Sequence, residues 1–122
     1  MDPEKKTLVL GASLKEERYS NMAIRNLRRH NQPVVAVGLR EGKVGDVHIG
    51  TDLPPGVKVD TVTIYLNAGN QAAWEQRVLA LRPRRIIFNP GAENPSFERA
   101  AEEAGIETLE ACTLVMLNTG QY

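Results

Sequence analysis

The chain alternates short apolar runs, which are typical of buried strands, with amphipathic stretches typical of helices. The first run, 7–10, is continuously apolar enough to suit a strand covered on both faces, and it ends at Gly11. Similar runs follow at 34–37, 47–49, 61–66, 85–88 and 106–109. Strands that alternate with helices in this way predict βαβ units. We therefore expect an α/β fold with a Rossmann-like doubly wound sheet, mainly parallel, of five to six strands with helices on both faces.

Three helices are predicted between these strands. Ser20 or Asn21 can cap the first, Asn70 the second and Asn94 the third, because a side-chain oxygen at the N-cap accepts hydrogen bonds from free first-turn amides. The stretch 38–59 is rich in glycine and proline, and we expect loop there apart from one short strand near 47–49. Only a short tail is expected after the last strand.

Composition limits the class of protein. The 122 residues carry 15 Lys and Arg against 15 Asp and Glu, which removes a global attraction to nucleic acid or anionic membranes. No apolar run approaches the roughly 20 residues of a membrane span. The polar start of the chain does not resemble a signal peptide, and the single Cys112 cannot form an internal disulfide. We expect one cytoplasmic domain spanning 1–122, with no nucleic-acid or membrane partner.

Ligands of doubly wound sheets bind at the carboxyl ends of the strands. Four segments fall there, namely 11–21, 38–45, 65–70 and 89–94. In the first, Gly11 permits a sharp turn, and helix amides near Ser20 would attract a phosphate with help from Lys15 or Arg18. The segment lacks the further glycines of G-x-G-x-x-G and the Gly-Lys-Ser/Thr of a P-loop. The alternative is that the glycine only turns the chain and the serine only caps the helix.

The second segment is cationic. Arg40 and Lys43 follow the second strand, where NAD-binding domains carry an acidic residue for the ribose hydroxyl. Cations at this place suit a phosphorylated ribose, as in coenzyme A or NADP, better than they suit NAD. The alternative is that both are solvated loop charges.

These residues resemble the CoA-binding domain family, typified by the N-terminal domain of the succinyl-CoA synthetase alpha subunit, and most of all its short stand-alone bacterial members. The segments 11–13 and 18–21 are similar to the family's phosphate-binding turn, and 42–45 with 48–50 resemble the ligase pattern Gly-Lys-Gly-Gly … His-Leu-Gly. The resemblance implies that Lys43 contacts the adenosine phosphate. The loop 89–94 and the position of Cys112 are also similar to the family. Ligase activity is not implied, because the ligase's phosphate-accepting histidine belongs to a second domain.

The third and fourth segments would line a channel for the pantetheine arm, which needs apolar contact and a few polar anchors. Core packing is the alternative role for Tyr65 and Leu66. The predicted cofactor-binding residues are Gly11, Ala12, Ser13, Arg18, Tyr19, Ser20, Asn21, Gly38, Arg40, Lys43, Tyr65, Leu66, Asn67, Pro90 and Gly91.

The sequence indicates no catalytic or metal site. His30 and His48 are far apart and lack ligands at metal-binding spacing. Cys112 is expected to be a small buried hydrophobe, with a mixed disulfide to the CoA thiol as a minority hypothesis. The leading interpretation is a non-catalytic binder of coenzyme A or acyl-CoA, acting as carrier, sensor or accessory subunit, either as a homo-oligomer or beside a partner enzyme. The alternatives are an NADP- or nucleotide-binding oxidoreductase and a protein-interaction module that has lost its ligand.

Overall fold

A computed structural model describes residues 5–122, and it contains one seven-stranded sheet in the order β3-β4-β2-β1-β5-β6-β7. All neighbouring strands are parallel except β3 and β4, which form an antiparallel hairpin. This confirms the predicted Rossmann-like α/β fold. The strands are β1 (Thr7–Ala12), β2 (Val34–Gly38), β3 (Gly42–Val44), β4 (Val47–Gly50), β5 (Thr61–Ile64), β6 (Arg85–Phe88) and β7 (Glu107–Glu110).

Helices cover both faces of the sheet, as predicted for a doubly wound fold. The helices are α1 (Tyr19–Arg29), α2 (Ala68–Gln71), α3 (Glu75–Leu81), α4 (Pro95–Glu103) and α5 (Thr113–Asn118). One face packs under α1 and α5, where Ile24 and Leu117 join the core around Val9. The other packs under α3 and α4, where Val78 and Phe97 join a second core. None of the helices within residues 5–122 has the length and apolar character needed to cross a bilayer.

The sheet has one strand more than predicted. The additional strand is β3, which lies in a stretch that was expected to be loop. It pairs Lys43 with His48 across a two-residue connection, in which Gly45 has a φ of +59°. Gly42 and Lys43 have little strand propensity of their own, so pairing with β4 rather than local sequence makes this segment a strand.

Two of the predicted helix starts are wrong. The N-cap of α1 is Arg18, so Ser20 and Asn21 lie buried in the first turn and do not cap it. The second predicted helix is broken into α2 and α3. The N-cap of α2 is Asn67 and not Asn70, and the Asn67 side chain accepts a hydrogen bond from the Asn70 amide. At α1 a tertiary contact competes with the local signal, because the Asn21 side chain bonds the preceding loop and not its own helix end.

The third predicted cap is confirmed, and the tail contains a helix that the pattern did not show. The Asn94 side chain accepts a hydrogen bond from the Phe97 amide at 3.3 Å. After β7 the chain forms α5, whose first residue, Thr113, is buried and donates its amide to Asn89 Oδ1 at 2.9 Å. A six-residue helix is too short to be stable alone, so α5 depends on these tertiary contacts.

Candidate functional site

A crevice of about 800 Å³ opens at the carboxyl ends of the strands, where β1 lies between β2 and β5. The connection after β1 leads to α1 on one face of the sheet, and the connection after β5 leads towards α3 on the other. This is the topological switch point at which doubly wound folds bind ligands. We refer to this cavity as the switch-point crevice.

Most residues of the predicted site lie together in this crevice, and a few do not. Those that line it are Gly11, Ala12, Ser13, Arg18, Tyr19, Ser20, Gly38, Arg40, Tyr65, Leu66 and Pro90. The predicted residues outside the lining are Asn21, Lys43, Asn67 and Gly91. Lining residues that were not in the predicted set are Leu10, Leu14, Lys15, Val37, Leu39, Thr51 and Trp74.

Two of the added residues depend on tertiary structure, and the local sequence did not indicate them. Thr51 directly follows β4, which runs parallel to β2, so its place at the carboxyl edge follows from the topology. In a single helix beginning at Asn70, Trp74 would share one apolar face with Val78 and Leu81. The break between α2 and α3 instead places Trp74 at the N-cap of α3, where it reaches the crevice while still packing on the core.

The floor of the crevice is backbone. Gly11 has a φ of +93°, a conformation that L-residues rarely adopt. A Cβ atom at this position would lie 3.1 Å from Leu66 Cδ2, so the turn after β1 is tight against the loop after β5. A ligand at this point would therefore meet the main chain of the Gly11 turn beside the Leu66 side chain.

Asn21 supports the first loop without lining the crevice. Its Nδ2 donates to the Ser13 carbonyl at 2.9 Å, and its Oδ1 accepts from Arg25 Nε at 2.8 Å. Arg25 also donates to the Glu16 carbonyl at 3.1 Å. Because Asn21 is 2% exposed, this buried bridge fixes the 13–18 loop to α1.

Positive charge gathers at one end of the crevice. Lys15, Arg18 and Arg40 line it with exposed side chains, and within residues 5–122 none of the three forms an ion pair. The N-cap side chain of α1 makes no hydrogen bond to the first turn, so the helix presents its partial positive charge and free amides here. Such an end of a helix, with arginines beside it, suits a phosphate group.

Lys43 lies apart from this cluster. It is exposed on β3, opposite His48 in the hairpin register, and does not line the crevice. His48 in turn lies 3.6 Å from the Glu41 carboxylate. Lys43 is therefore on the same hairpin side of the crevice as Arg40 but farther out.

The other end of the crevice is apolar. Leu66, Trp74 and Pro90 form its wall. At the mouth, large apolar side chains face solvent: Tyr19 is 69% exposed and Leu39 is 94% exposed. Ligand pockets combine apolar walls with a few polar groups that fix orientation, and this crevice has both.

Tyr65 borders both the crevice and the core under α1 and α5. Its hydroxyl is buried without a satisfactory hydrogen bond, and the nearby hydroxyls of Thr63 and Thr113 bond each other at 2.7 Å. Burial is the main reason that the pKa of Tyr65 rises to about 12. Tyr65 is thus a neutral apolar wall for the crevice at ordinary pH.

Within residues 5–122, no three His, Cys, Asp or Glu side chains are grouped to hold a metal ion.

The fold and the crevice define a doubly wound α/β protein whose switch-point site offers cations at one end and an apolar wall at the other. A family model described as CoA binding domain matches residues 5–118. The chain belongs to this CoA-binding domain family, and membership supports coenzyme A as the kind of ligand.

Solved structures with the same fold extend over almost the whole chain. An uncharacterized protein is 42% identical, with a TM-score of 0.92 and coverage of 97% of this chain and 98% of its own. A Thermus thermophilus protein, cell-free ID.343, is 26% identical, with a TM-score of 0.83 and coverage of 97% and 90%. A conserved hypothetical protein from Pyrococcus furiosus is 21% identical, with a TM-score of 0.75 and coverage of 91% and 97%, and shows the fold alone. No curated protein matches the chain significantly.

Proposed function

We propose that this chain binds coenzyme A or an acyl-CoA in the switch-point crevice without turnover of its own, as a carrier, sensor or accessory subunit in the cytoplasm. One observation carries the proposal: a single crevice joins a cationic helix end to an apolar wall, in a member of the CoA-binding domain family. Coenzyme A has the same polarity, with phosphates at one end and a long uncharged arm at the other.

The proposed orientation follows from this polarity. The diphosphate lies at the turn 11–13 and the first turn of α1, beside Arg18. The phosphorylated ribose points to Arg40, and the pantetheine arm extends past Leu66 and Pro90. A volume of about 800 Å³ is in the range of pockets that hold cofactor-sized ligands.

Calorimetric and thermal-shift titrations with coenzyme A, acetyl-CoA, NADP and ATP test the proposal. We expect coenzyme A to raise the melting temperature, since a ligand of the native state at 100 times its Kd adds about 2.7 kcal/mol of stability. Binding of NADP with no response to coenzyme A would replace the proposal with the oxidoreductase alternative. No response to any nucleotide would favour an interaction module.

A matched pair of variants locates the site. Arg18 lines the crevice at the N-terminal end of α1, whereas Arg29 lies exposed at the other end of the same helix. We expect Arg18→Ala to weaken coenzyme A by about tenfold, the value of one charge-assisted phosphate contact, and Arg29→Ala to leave it unchanged. Equal effects of the two substitutions would place the ligand elsewhere.

A further inference from the structure

Gln71, the last residue of α2, has a buried side-chain amide whose nitrogen and oxygen both form hydrogen bonds. It is 0% exposed. Its Nε2 donates to the Leu66 carbonyl at 2.8 Å and to the Ala92 carbonyl at 2.7 Å, and its Oε1 accepts from Asn94 Nδ2 at 3.0 Å. An amide nitrogen has two protons, and both are used here on two different loops.

These two loops carry the apolar wall of the crevice. Leu66 belongs to the loop after β5, and Ala92 belongs to the loop after β6, which also contains Pro90. The Ala92 amide donates to the Asn89 carbonyl at 2.8 Å, so the carbonyl that Gln71 holds is part of the turn that presents Pro90. Gln71 and Ala92 do not line the crevice, whereas Leu66 and Pro90, on the two loops that Gln71 joins, do.

The connection continues to the floor. Leu66 packs against the Gly11 turn so closely that a Cβ at residue 11 would lie 3.1 Å from its side chain. Movement of the Leu66 main chain would therefore change the gap between the floor and the wall. The cationic end of the crevice, at α1 and the loop after β2, lies outside this set of contacts.

We propose that Gln71 is a positioning residue that sets the width of the pantetheine half of the crevice by holding the Leu66 and Ala92 carbonyls together. The inference rests on the proposed binding of coenzyme A and names a residue that acts through others. It predicts a loss of affinity confined to ligands that carry the pantetheine arm. The free carbonyls of two loops would otherwise need water or new partners, and either would move the wall.

The test compares coenzyme A with adenosine 3′,5′-bisphosphate, which has the nucleotide end but no arm. Gln71→Met keeps the side-chain length and removes both donors. We expect it to weaken coenzyme A by about tenfold while changing the bisphosphate by less than about twofold, because two hydrogen bonds to the wall are lost and none to the cationic end. An unchanged ratio of the two affinities would overturn the proposal.

Arg85 provides the control for simple loss of stability. It is a buried side chain at the start of β6 that donates to Thr61 Oγ1 at 2.9 Å, at the amino ends of the strands and away from the crevice. We expect Arg85→Met to lower the melting temperature and to leave the ratio of the two affinities unchanged. A ratio that falls equally in both variants would show that Gln71 acts only through stability.

Gln71→Glu adds a pH readout. A buried carboxyl has a raised pKa, and its protonated form regains one donor. We expect the ratio of the two affinities in this variant, divided by the wild-type ratio at the same pH, to recover between about pH 8 and about pH 5. The division removes the effect of the bisphosphate's 5′-phosphate, which titrates at about pH 6 in both proteins. If both Gln71 variants fail to fold, the residue serves stability and the positioning role is wrong. If the wild type binds the bisphosphate but not coenzyme A, the proposed function fails first.

Discussion

Gly38 packs so closely on Ala12 that a Cβ atom on residue 38 would lie 2.2 Å from the Ala12 carbonyl oxygen. The register between β1 and β2 shifts at the same place, from Leu10 opposite Val37 to Ala12 opposite Gly38. The contact is between main-chain atoms, so no change of rotamer can relieve it. It holds the carboxyl end of β2 against the end of β1 and so closes one side of the switch-point crevice.

Gly38→Ala is therefore expected to separate these strand ends. We expect the free energy of unfolding to fall by about 2 to 3 kcal/mol, as for a backbone clash in a packed region, and coenzyme A to bind more weakly. Urea unfolding and calorimetric titration measure the two effects. Gly69→Ala is the control, since residue 69 lies in α2 with only Asn67 Oδ1 at 3.6 Å, and alanine favours a helix. Equal stabilities of the two variants would contradict the role of this contact.

Arg40 and Lys43, the two cations after β2, should contribute differently to binding of the 3′-phosphate on the ribose of coenzyme A. Arg40 lines the crevice, whereas Lys43 lies outside the lining on β3. We expect Arg40→Ala to weaken coenzyme A about tenfold more than dephospho-CoA, because only the former has the 3′-phosphate. Lys43→Ala is expected to act in the same direction with a smaller effect. Equal losses for both ligands in Arg40→Ala would remove the assigned contact.

Asn21→Asp tests the bridge to the first loop. The aspartate can still accept from Arg25 but cannot donate to the Ser13 carbonyl, which lies 2.9 Å from Asn21 Nδ2. We expect faster amide hydrogen exchange in the 13–18 loop and a several-fold loss of coenzyme A affinity, on the order of the 1 kcal/mol of one buried hydrogen bond. Unchanged exchange in this loop would show that other contacts hold it.

Tyr65→Phe removes a buried hydroxyl that has no satisfactory partner. We expect unchanged or higher stability near neutral pH, because the phenyl ring fills the same space without the cost of burying the hydroxyl. A fall in the melting temperature of more than a few degrees would indicate a hydrogen bond at this hydroxyl.

The wild type and Tyr65→Phe should also differ in how their free energies of unfolding change at alkaline pH. The pKa of Tyr65 is about 12 in the folded protein and about 10 in an unfolded chain, so the unfolded state releases its proton first as the pH rises. The contribution to stability is present below about pH 10 and is lost as the pH rises through about 12, by up to about 2.7 kcal/mol. Burial also raises the pKa of Tyr122, but that tyrosine is present in both proteins. Urea unfolding at about pH 9 and about pH 11.5 should therefore show a steeper loss in the wild type.

Part of the candidate site could be predicted because a doubly wound fold has a fixed place for ligands. Once the strands at 7–10, 34–37 and 61–66 are recognised, their carboxyl ends indicate Gly11, Gly38 and Tyr65 without knowledge of a single contact. Residues such as Thr51 and Trp74 could not be assigned in this way. Their place depends on where β4 pairs and where the second helix breaks.

The sequence by itself determined the class of fold, the switch point and the cation at Arg40, because these depend on local apolar patterning and on the order of strands and helices. Only the tertiary structure decided that Asn21 is a bridge and not a helix cap, that Lys43 lies outside the crevice, and that Gln71 joins two loops. The physical reason is that a polar side chain bonds whichever partner the packed chain brings within reach, and partners distant in sequence leave no periodic pattern.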